Sequence, residues 1–250
     1  MTYHLFAAIY DQLMEHAPYD KWVLFTEKLI NRKSSKGKEI VDLGCGTGEI
    51  TIRLAQLGYT MTGVDMSTHM LSKASQKAFT NNVHIDWIQQ DIRQLEGFTD
   101  IDIFISYCDV MKYITDKNEL CEVFERIQKS LSSNGLFIFD IHSLYYAQEF
   151  LMDRTFADET EALAYIWHCQ SGEKMGEMEH FLTFFQKVEE NGNNYVRFDE
   201  VHHQQTYEIN IYEQLLKSCG FTKIEFYSDF SFKNNILEKN SERIFIVAQK

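Results

Sequence analysis

The stretch Val41-Asp42-Leu43-Gly44-Cys45-Gly46-Thr47-Gly48-Glu49 constrains the fold more than any other part of the chain. It reads as a short apolar strand ending on an acid, then a loop with glycine at every second position, then a helix running from Ile50 to Leu57. Glycine lacks a Cβ, so it reaches backbone conformations closed to other residues and lets a ligand lie against the main chain. A glycine loop between a strand and a helix is where an open α/β sheet holds a nucleotide-like cofactor. Two familiar versions of that loop do not fit. The dinucleotide fingerprint G-x-G-x-x-G requires glycine where the chain has Glu49, which sets a dehydrogenase aside, and the phosphate loop requires a lysine after its last glycine.

The rest of the chain has the rhythm of such a sheet. Two amphipathic helices come first, His4 to His16 and Lys21 to Asn31. The only proline, Pro18, separates them, and Asp20 reads as the cap of the second. Strands and helices then alternate through Glu39–Asp42, Thr60–Asp65, Val83–Ile88, Ile101–Tyr107 and Leu136–Asp140, which implies right-handed crossovers and a parallel sheet covered on both faces. Beyond Asp140 the helical period is lost. Residues 155–206 read as strands at Ala162–Cys169, Glu177–Glu189 and Tyr195–Tyr207, with Ser171-Gly172 and Asn191-Gly192 as hairpin signals. A helix at Ile209–Cys219 and strands at Thr222–Ser228 and Arg243–Gln249 close the chain. The expected organisation is a sheet domain made of residues 1–150 and 207–250, with residues 1–32 as a helical cap and residues 151–206 as an antiparallel β insertion. That insertion leaves after strand five, at the carboxyl edge where open α/β sheets bind ligands, and is expected to act as a substrate lid. Its aromatic and histidine residues, among them Trp167, His180, Phe184, His202 and His203, either build its own small core or face the ligand.

Composition narrows the function. A formal charge of −13 over 250 residues disfavours a phosphate backbone as partner. The one cationic stretch, residues 32–38, reads as a solvated loop, the alternative being a small RNA-contacting patch. No apolar run approaches the ~20 residues of a membrane span, and the first residues carry no secretory signal. Five scattered cysteines without a C-x-x-C fit reduced thiols in a cytoplasm. No His/Cys spacing suits zinc, so no metal is expected.

Acid-x-Gly-x-Gly-x-Gly at Asp42–Gly48 resembles the first motif of the class I S-adenosylmethionine-dependent methyltransferases. The acids at the ends of the next two strands, Asp65 and Asp91, strengthen the likeness, although each acid taken alone is equally a helix or turn cap. The resemblance implies a Rossmann-like seven-stranded, mostly parallel sheet of order 3-2-1-4-5-7-6, with the last strand antiparallel. It implies S-adenosylmethionine as cofactor and S-adenosylhomocysteine as product. The backbone of Gly44, Cys45, Gly46 and Gly48 would cradle the methionine end beside Asp42. Asp65 would take the ribose diol, Met66 would lie on the adenine, and Asp91 with Ile92 would meet its edge, with Tyr107 at the end of strand four among the contacts. A narrower likeness, to small bacterial methyltransferases of the YqeM-like group, rests on Phe6 to Met14, on Phe139-Asp140-Ile141-His142-Ser143 and on Glu242 to Ala248. It implies that the first helix folds over the cofactor, bringing Tyr10 and Trp22 to the sulfonium; Tyr10 reads equally as an amphipathic residue of a surface helix. The chain departs from that group after strand four, where Cys108-Asp109-Val110-Met111-Lys112-Tyr113 lacks the usual serine and asparagine.

The implied reaction is an in-line displacement by an oxygen, nitrogen or carbon nucleophile, with a small-molecule acceptor expected and the protein a monomer or homodimer. A tRNA or protein acceptor, or a non-catalytic cofactor-binding subunit, are the alternatives. Alignment and exclusion of water supply most of the acceleration in such a step. If the acceptor loses a proton, His142 at the end of strand five and His202 or His203 in the insertion are the candidate bases.

Overall fold

The computed structural model describes residues 2–32, 38–188, 194–233 and 238–250. Helices α1 (Thr2–Leu13) and α2 (Tyr19–Arg32) lead into β1 (Glu39–Leu43), α3 (Glu49–Gln56), β2 (Thr60–Asp65), α4 (Thr68–Thr80), β3 (Asp86–Gln89), β4 (Ile101–Ser106), α5 (Lys117–Ser130) and β5 (Leu131–His142). A single helical turn, α6 (Leu144–Tyr146), precedes β6 (Arg154–Glu159), β7 (Leu163–Ser171), β8 (Glu177–Lys187) and β9 (Tyr195–Gln205). The chain ends with α7 (Ile209–Ser218), β10 (Lys223–Ser228) and β11 (Arg243–Gln249).

Seven strands form one sheet in the order β10-β11-β5-β4-β1-β2-β3. The strands from β5 to β3 run parallel, and β11 lies antiparallel to both β5 and β10. This is the expected order, with β10 and β11 as its sixth and seventh strands. The central strands are near-continuous apolar runs because helices cover both faces. Alternate residues serve opposite cores. Val41, Phe104, Phe137 and Phe139 pack with Phe124 and Tyr212 on one face, while Ile40, Ile105, Ile138 and Phe245 pack with Phe25 and Leu29 on the other. No described helix is long and apolar enough to cross a membrane.

Strands β6 to β9 form a separate antiparallel meander. Its first strand was not expected from the sequence, and its residues explain why. Arg154-Thr155-Phe156-Ala157-Asp158-Glu159 lies at the edge of the meander, almost fully exposed, and so carries no apolar alternation. Gly172 closes the turn into β8, donating its N–H to the Glu177 carbonyl at 2.8 Å, while the Asn191-Gly192 signal and residues 33–37 of the cationic stretch fall outside the described residues. The inward residues Leu163, Phe184 and Phe198 close on Ile9 of α1, with Phe6 and Leu13 alongside. Asp20 is not a cap: α2 begins at Tyr19 behind Pro18, and Asp20 sits in its first turn, 3.1 Å from Arg53.

The inner face of the insertion also holds a fixed imidazole. Trp167 Nε1 donates to His180 Nδ1 at 3.0 Å. The His180 proton therefore sits on Nε2, facing Gln204 Oε1 at 3.1 Å. Burial pushes the His180 pKa from 6.5 down to about 4, with Lys112 adding to the shift. Above pH 6.5 the ring is neutral in both folded and unfolded chains. As pH falls from 6.5 toward 4 only the unfolded chain takes the proton, so stability drains across that window. A loss on the order of 2 kcal/mol between pH 7 and 4.5 is expected. Urea melts at a series of pH values measure it, with His180→Gln as the reference whose profile should be shallower. Superimposable profiles would show that His180 does not titrate in this way.

Candidate functional site

Strand β1 delivers the glycine loop to the carboxyl edge of the sheet. Gly44 and Gly48 have φ of +74° and +79°, in the left-handed region that side chains rarely adopt. Space forbids a side chain as well: a Cβ on Gly44 would lie 2.5 Å from Val110, and one on Gly48 would lie 2.7 Å from Trp87. Asp65, at the end of β2, accepts from the N–H of Gly46 at 2.9 Å and from the N–H of Ser67 at 2.8 Å, one bond to each carboxylate oxygen. The N–H of Met66 also pulls on the carboxylate, and the lone pair left over can accept from a hydroxyl. Burial raises the Asp65 pKa against the pull of those amides. Asp42 is buried below the loop and accepts from Thr51 Oγ1 at 2.6 Å; burial carries its pKa up to about 7. Cys45 is similarly shielded, its thiol pushed well above the usual value by burial.

Helix α1 lies across this loop. The Tyr10 ring comes within 3.9 Å of the position a Cβ on Gly46 would take, and burial raises its phenol well above the ordinary pKa. A polar clasp holds the helix in place. Thr47 Oγ1 donates to Asp11 at 2.5 Å, and Lys77 of α4 donates to Asp11 at 3.0 Å and to Glu49 at 2.5 Å. Arg53 bonds Glu49 from one turn on. Burial alone would raise the pKa of Glu49, but Lys77 and Arg53 outweigh it and hold the carboxyl below its usual range. The residue that broke the dinucleotide fingerprint is thus an anchor for the clasp.

Beyond Asp65, a cavity of about 530 Å³ is lined by Met66, Gln89, Gln90, Asp91, Gln94, Glu96 and Arg126. Met66 is 59% exposed there. The Asp91 carboxylate is engaged by the guanidinium of Arg93, the shortest contact being 2.6 Å, and Ile92 packs against the core. Gln89 and Gln90 were not singled out from sequence, yet they line the same cavity.

The ends of β4, β5 and β11 build a second, buried arrangement. Arg243 Nη1 donates to Asp109 at 3.0 Å and to Asp140 at 2.8 Å, and its Nη2 donates to His142 Nε2 at 3.1 Å. Arginine has no acceptor, so a neutral His142 holds its proton on Nδ1. That nitrogen lies 3.1 Å from Asp109 and 2.9 Å from Lys112 Nζ. Burial lowers the His142 pKa well below 6.5 and lowers that of Lys112. For Asp109 burial raises the pKa, but Arg243, His142 and Lys112 prevail and hold it far below the carboxylate range, whereas Asp140 is left raised by burial. Two acids, two bases and a neutral imidazole balance. The cluster also fixes the loop after β4. Cys108 and Asp109 both have left-handed φ, 58° and 69°, a strained pair. The Asp109 N–H bonds Asp140 at 3.2 Å, and the His142 N–H bonds Asp109 at 2.7 Å. The same loop presents Val110 to Gly44.

The candidate residues therefore separate. Tyr10, Asp42, Gly44, Cys45, Gly46, Gly48 and Asp65 gather at the loop, and Met66 and Asp91 gather at the cavity. Trp22 and Tyr107 do not stand open at the loop. The Trp22 N–H donates to Asp140 at 2.7 Å, with Phe230 edge-on and Arg243 5.2 Å from its ring. The Tyr107 hydroxyl is shared with Thr26 at 2.7 Å in the core. Both ring nitrogens of His142 are occupied. His202, by contrast, has Nδ1 on the Tyr113 hydroxyl at 3.0 Å, while its Nε2 is buried with no hydrogen-bond partner among the described residues. Burial lowers its pKa, with His203 adding to the shift. His203 faces the opposite side of β9, exposed, 3.1 Å from Glu179.

Residues 34–217 match the family model described as a methyltransferase domain. A protein of Geobacillus sp. (strain WCH70) is 41% identical over 100% of both chains. YqeM of Bacillus subtilis (strain 168) is 40% identical over 100% of this chain and 98% of its own. Both are named as candidate methyltransferases. The crystal structure of an S-adenosylmethionine-dependent methyltransferase from Clostridium acetobutylicum ATCC 824 superposes with a TM-score of 0.87 at 29% identity, covering 100% of this chain and 99% of that one. The chain belongs to the methyltransferase domain family.

Proposed function

We propose that the chain transfers a methyl group from S-adenosylmethionine to an oxygen, nitrogen or carbon atom of a small molecule. One observation carries the reading: a loop over Asp42 with glycine at every second position, followed by a strand-end carboxylate, Asp65, that is held by the loop's own amide and can accept from a sugar hydroxyl. The cofactor is S-adenosylmethionine, which supplies an activated methyl group on a cationic sulfur. The backbone of Gly44–Gly48 would hold its methionine end, Asp65 its sugar, and Met66, Gln90 and Asp91 its base. The protein's own part is to align the reactants and keep them dry. Tyr10 closes the loop from above, and an aromatic face near a sulfonium is worth about 0.5–2 kcal/mol. The insertion, through its contact with α1, walls the acceptor side and serves as the lid.

Of the histidines considered as bases, His202 has the ring nitrogen left without a hydrogen-bond partner among the described residues; a buried polar atom of that kind is costly until something bonds it, which an acceptor's hydroxyl or amine would do once admitted. His142 orders the loop after β4 and would have to leave Arg243 before it took a proton. The net charge of −13 favours a compact acceptor over nucleic acid.

Calorimetric titration tests the cofactor directly. Saturable binding of S-adenosylmethionine and none of NAD is expected, and heat with NAD alone would overturn the assignment. Incubation with a labelled-methyl cofactor and fractionated metabolite pools then reports the acceptor class, a small labelled product being the expected outcome.

A further inference from the structure

Helices α5 and α7 lie side by side on the face of the sheet that holds Phe124 and Tyr212. Cys121 of α5 and Cys219, the residue that caps the end of α7, meet at the seam. Cys121 and Cys219 are free thiols whose sulfurs stand 3.0 Å apart, about 1 Å beyond the covalent S–S length. The Cys219 thiol donates to the Cys121 carbonyl at 3.4 Å, and the Ser218 hydroxyl lies 3.9 Å from each sulfur. Cys219 is 8% exposed, whereas Cys121 is half-buried. Glu125, a turn beyond Cys121, completes the grouping. Neither sulfur takes part in the cofactor or acceptor geometry above. The two residues are far apart in sequence, so only the packing of α7 on α5 explains their meeting.

We propose that Cys121 and Cys219 form a reversible covalent crosslink between α5 and α7 when the protein meets a small disulfide such as oxidised glutathione. The Cys121 thiolate attacks one sulfur of the reagent, whose disulfide bond breaks and releases one thiol. Cys219, having lost its proton to solvent, then attacks Cys121 Sγ and expels the second thiol. Two protein thiols are oxidised to one disulfide, and one small disulfide is reduced to two thiols. Burial and the neighbouring Cys121 push the Cys219 pKa up to about 12, so Cys219 rests protonated and the more accessible Cys121 meets the reagent first. The chain closed into a ring by this bond includes β5, the whole four-stranded insertion and α7. Closing so long a ring restricts the unfolded chain strongly.

The test uses the full chain and oxidised glutathione. After treatment the protein should lose two of its five titratable thiols and the mass of two hydrogens. Non-reducing digestion should yield linked peptides carrying Cys121 and Cys219, and the melting midpoint should rise by roughly 5–10 °C, reversed by dithiothreitol. Cys219→Ser should instead stop at the mixed disulfide, retaining glutathione on Cys121. Either of two results in the wild-type protein overturns the proposal: both thiols remaining reduced under conditions that fully modify the unfolded chain, or glutathione persisting on Cys121 without resolution. The wild-type peptide map decides the matter even where the serine variant does not fold.

Discussion

Arg243→Met should destabilise the protein by about 3–5 kcal/mol, the scale for removing one partner from a buried charge group. For a chain of this size that corresponds to a fall in melting temperature of roughly 6–20 °C. The cause is not the loss of attraction alone. Arg243 is the cation shared by Asp109 and Asp140, whose carboxylates lie 3.0 and 2.8 Å from it. Without it both acids remain buried against a single cation, Lys112, and His142 Nε2 loses its donor. One acid must then take up a proton or draw in water. The Asp109 amide and carboxylate hold the strained turn at Cys108–Asp109, so the loop carrying Val110 onto Gly44 should loosen too. Arg243→Met combined with Asp140→Asn removes one charge of each sign and should be less destabilised than the sum of the two single changes. Thermal and urea melts of the three variants measure this. A methionine variant that melts within a degree or two of the parent would mean that the charges are not coupled as the distances indicate.

That cluster also marks the boundary of what the sequence shows. The glycine loop, the strand-end acids and the alternation of strands and helices were legible because each is local: a few consecutive residues encode a turn, and apolar periodicity encodes a face. The order of the strands is not local and came only from the family resemblance. Arg243, Asp109, Asp140 and Lys112 were not assigned a chemical role beforehand. Their meeting depends on β11 pairing antiparallel with β5, which sets Arg243 opposite His142. The available hint is a charge inside an apolar strand, Asp140 within Phe137-Ile138-Phe139-Asp140-Ile141, since a buried acid needs a partner. The clasp of Asp11, Thr47, Glu49 and Lys77 escaped notice for the same reason, because α1 and α4 are joined only in space. Trp22 shows how a partner distant in sequence can occupy a candidate residue. The family resemblance implied a ring facing the sulfonium, and the ring does meet a cation, but that cation is Arg243. The edge strand β6 was missed because exposure erases the alternation by which strands are recognised.

Asp65→Ala is expected to weaken S-adenosylmethionine binding by about 1.5–3 kcal/mol, the usual worth of hydrogen bonds to a charged group, which is roughly 10- to 150-fold in dissociation constant. Two roles of the carboxylate have to be separated. Asp65 receives the N–H groups of Gly46 and Ser67, so alanine also leaves those donors unpaired and can relax the loop. Asp65→Asn keeps one carbonyl oxygen for an amide while removing the charge, and a melt of each variant shows whether the loop has held. A carboxylate could also favour the cofactor merely by attracting its sulfonium. The product settles this point, because S-adenosylhomocysteine carries the same ribose and no sulfonium charge. If Asp65 grips the sugar, the loss in affinity should be equal for cofactor and product. If it acts through long-range attraction, the cofactor should suffer more and the difference should shrink in high salt. Calorimetry with both ligands on both variants distinguishes the cases, and unchanged affinity in a folded Asp65→Ala protein would place the ribose elsewhere.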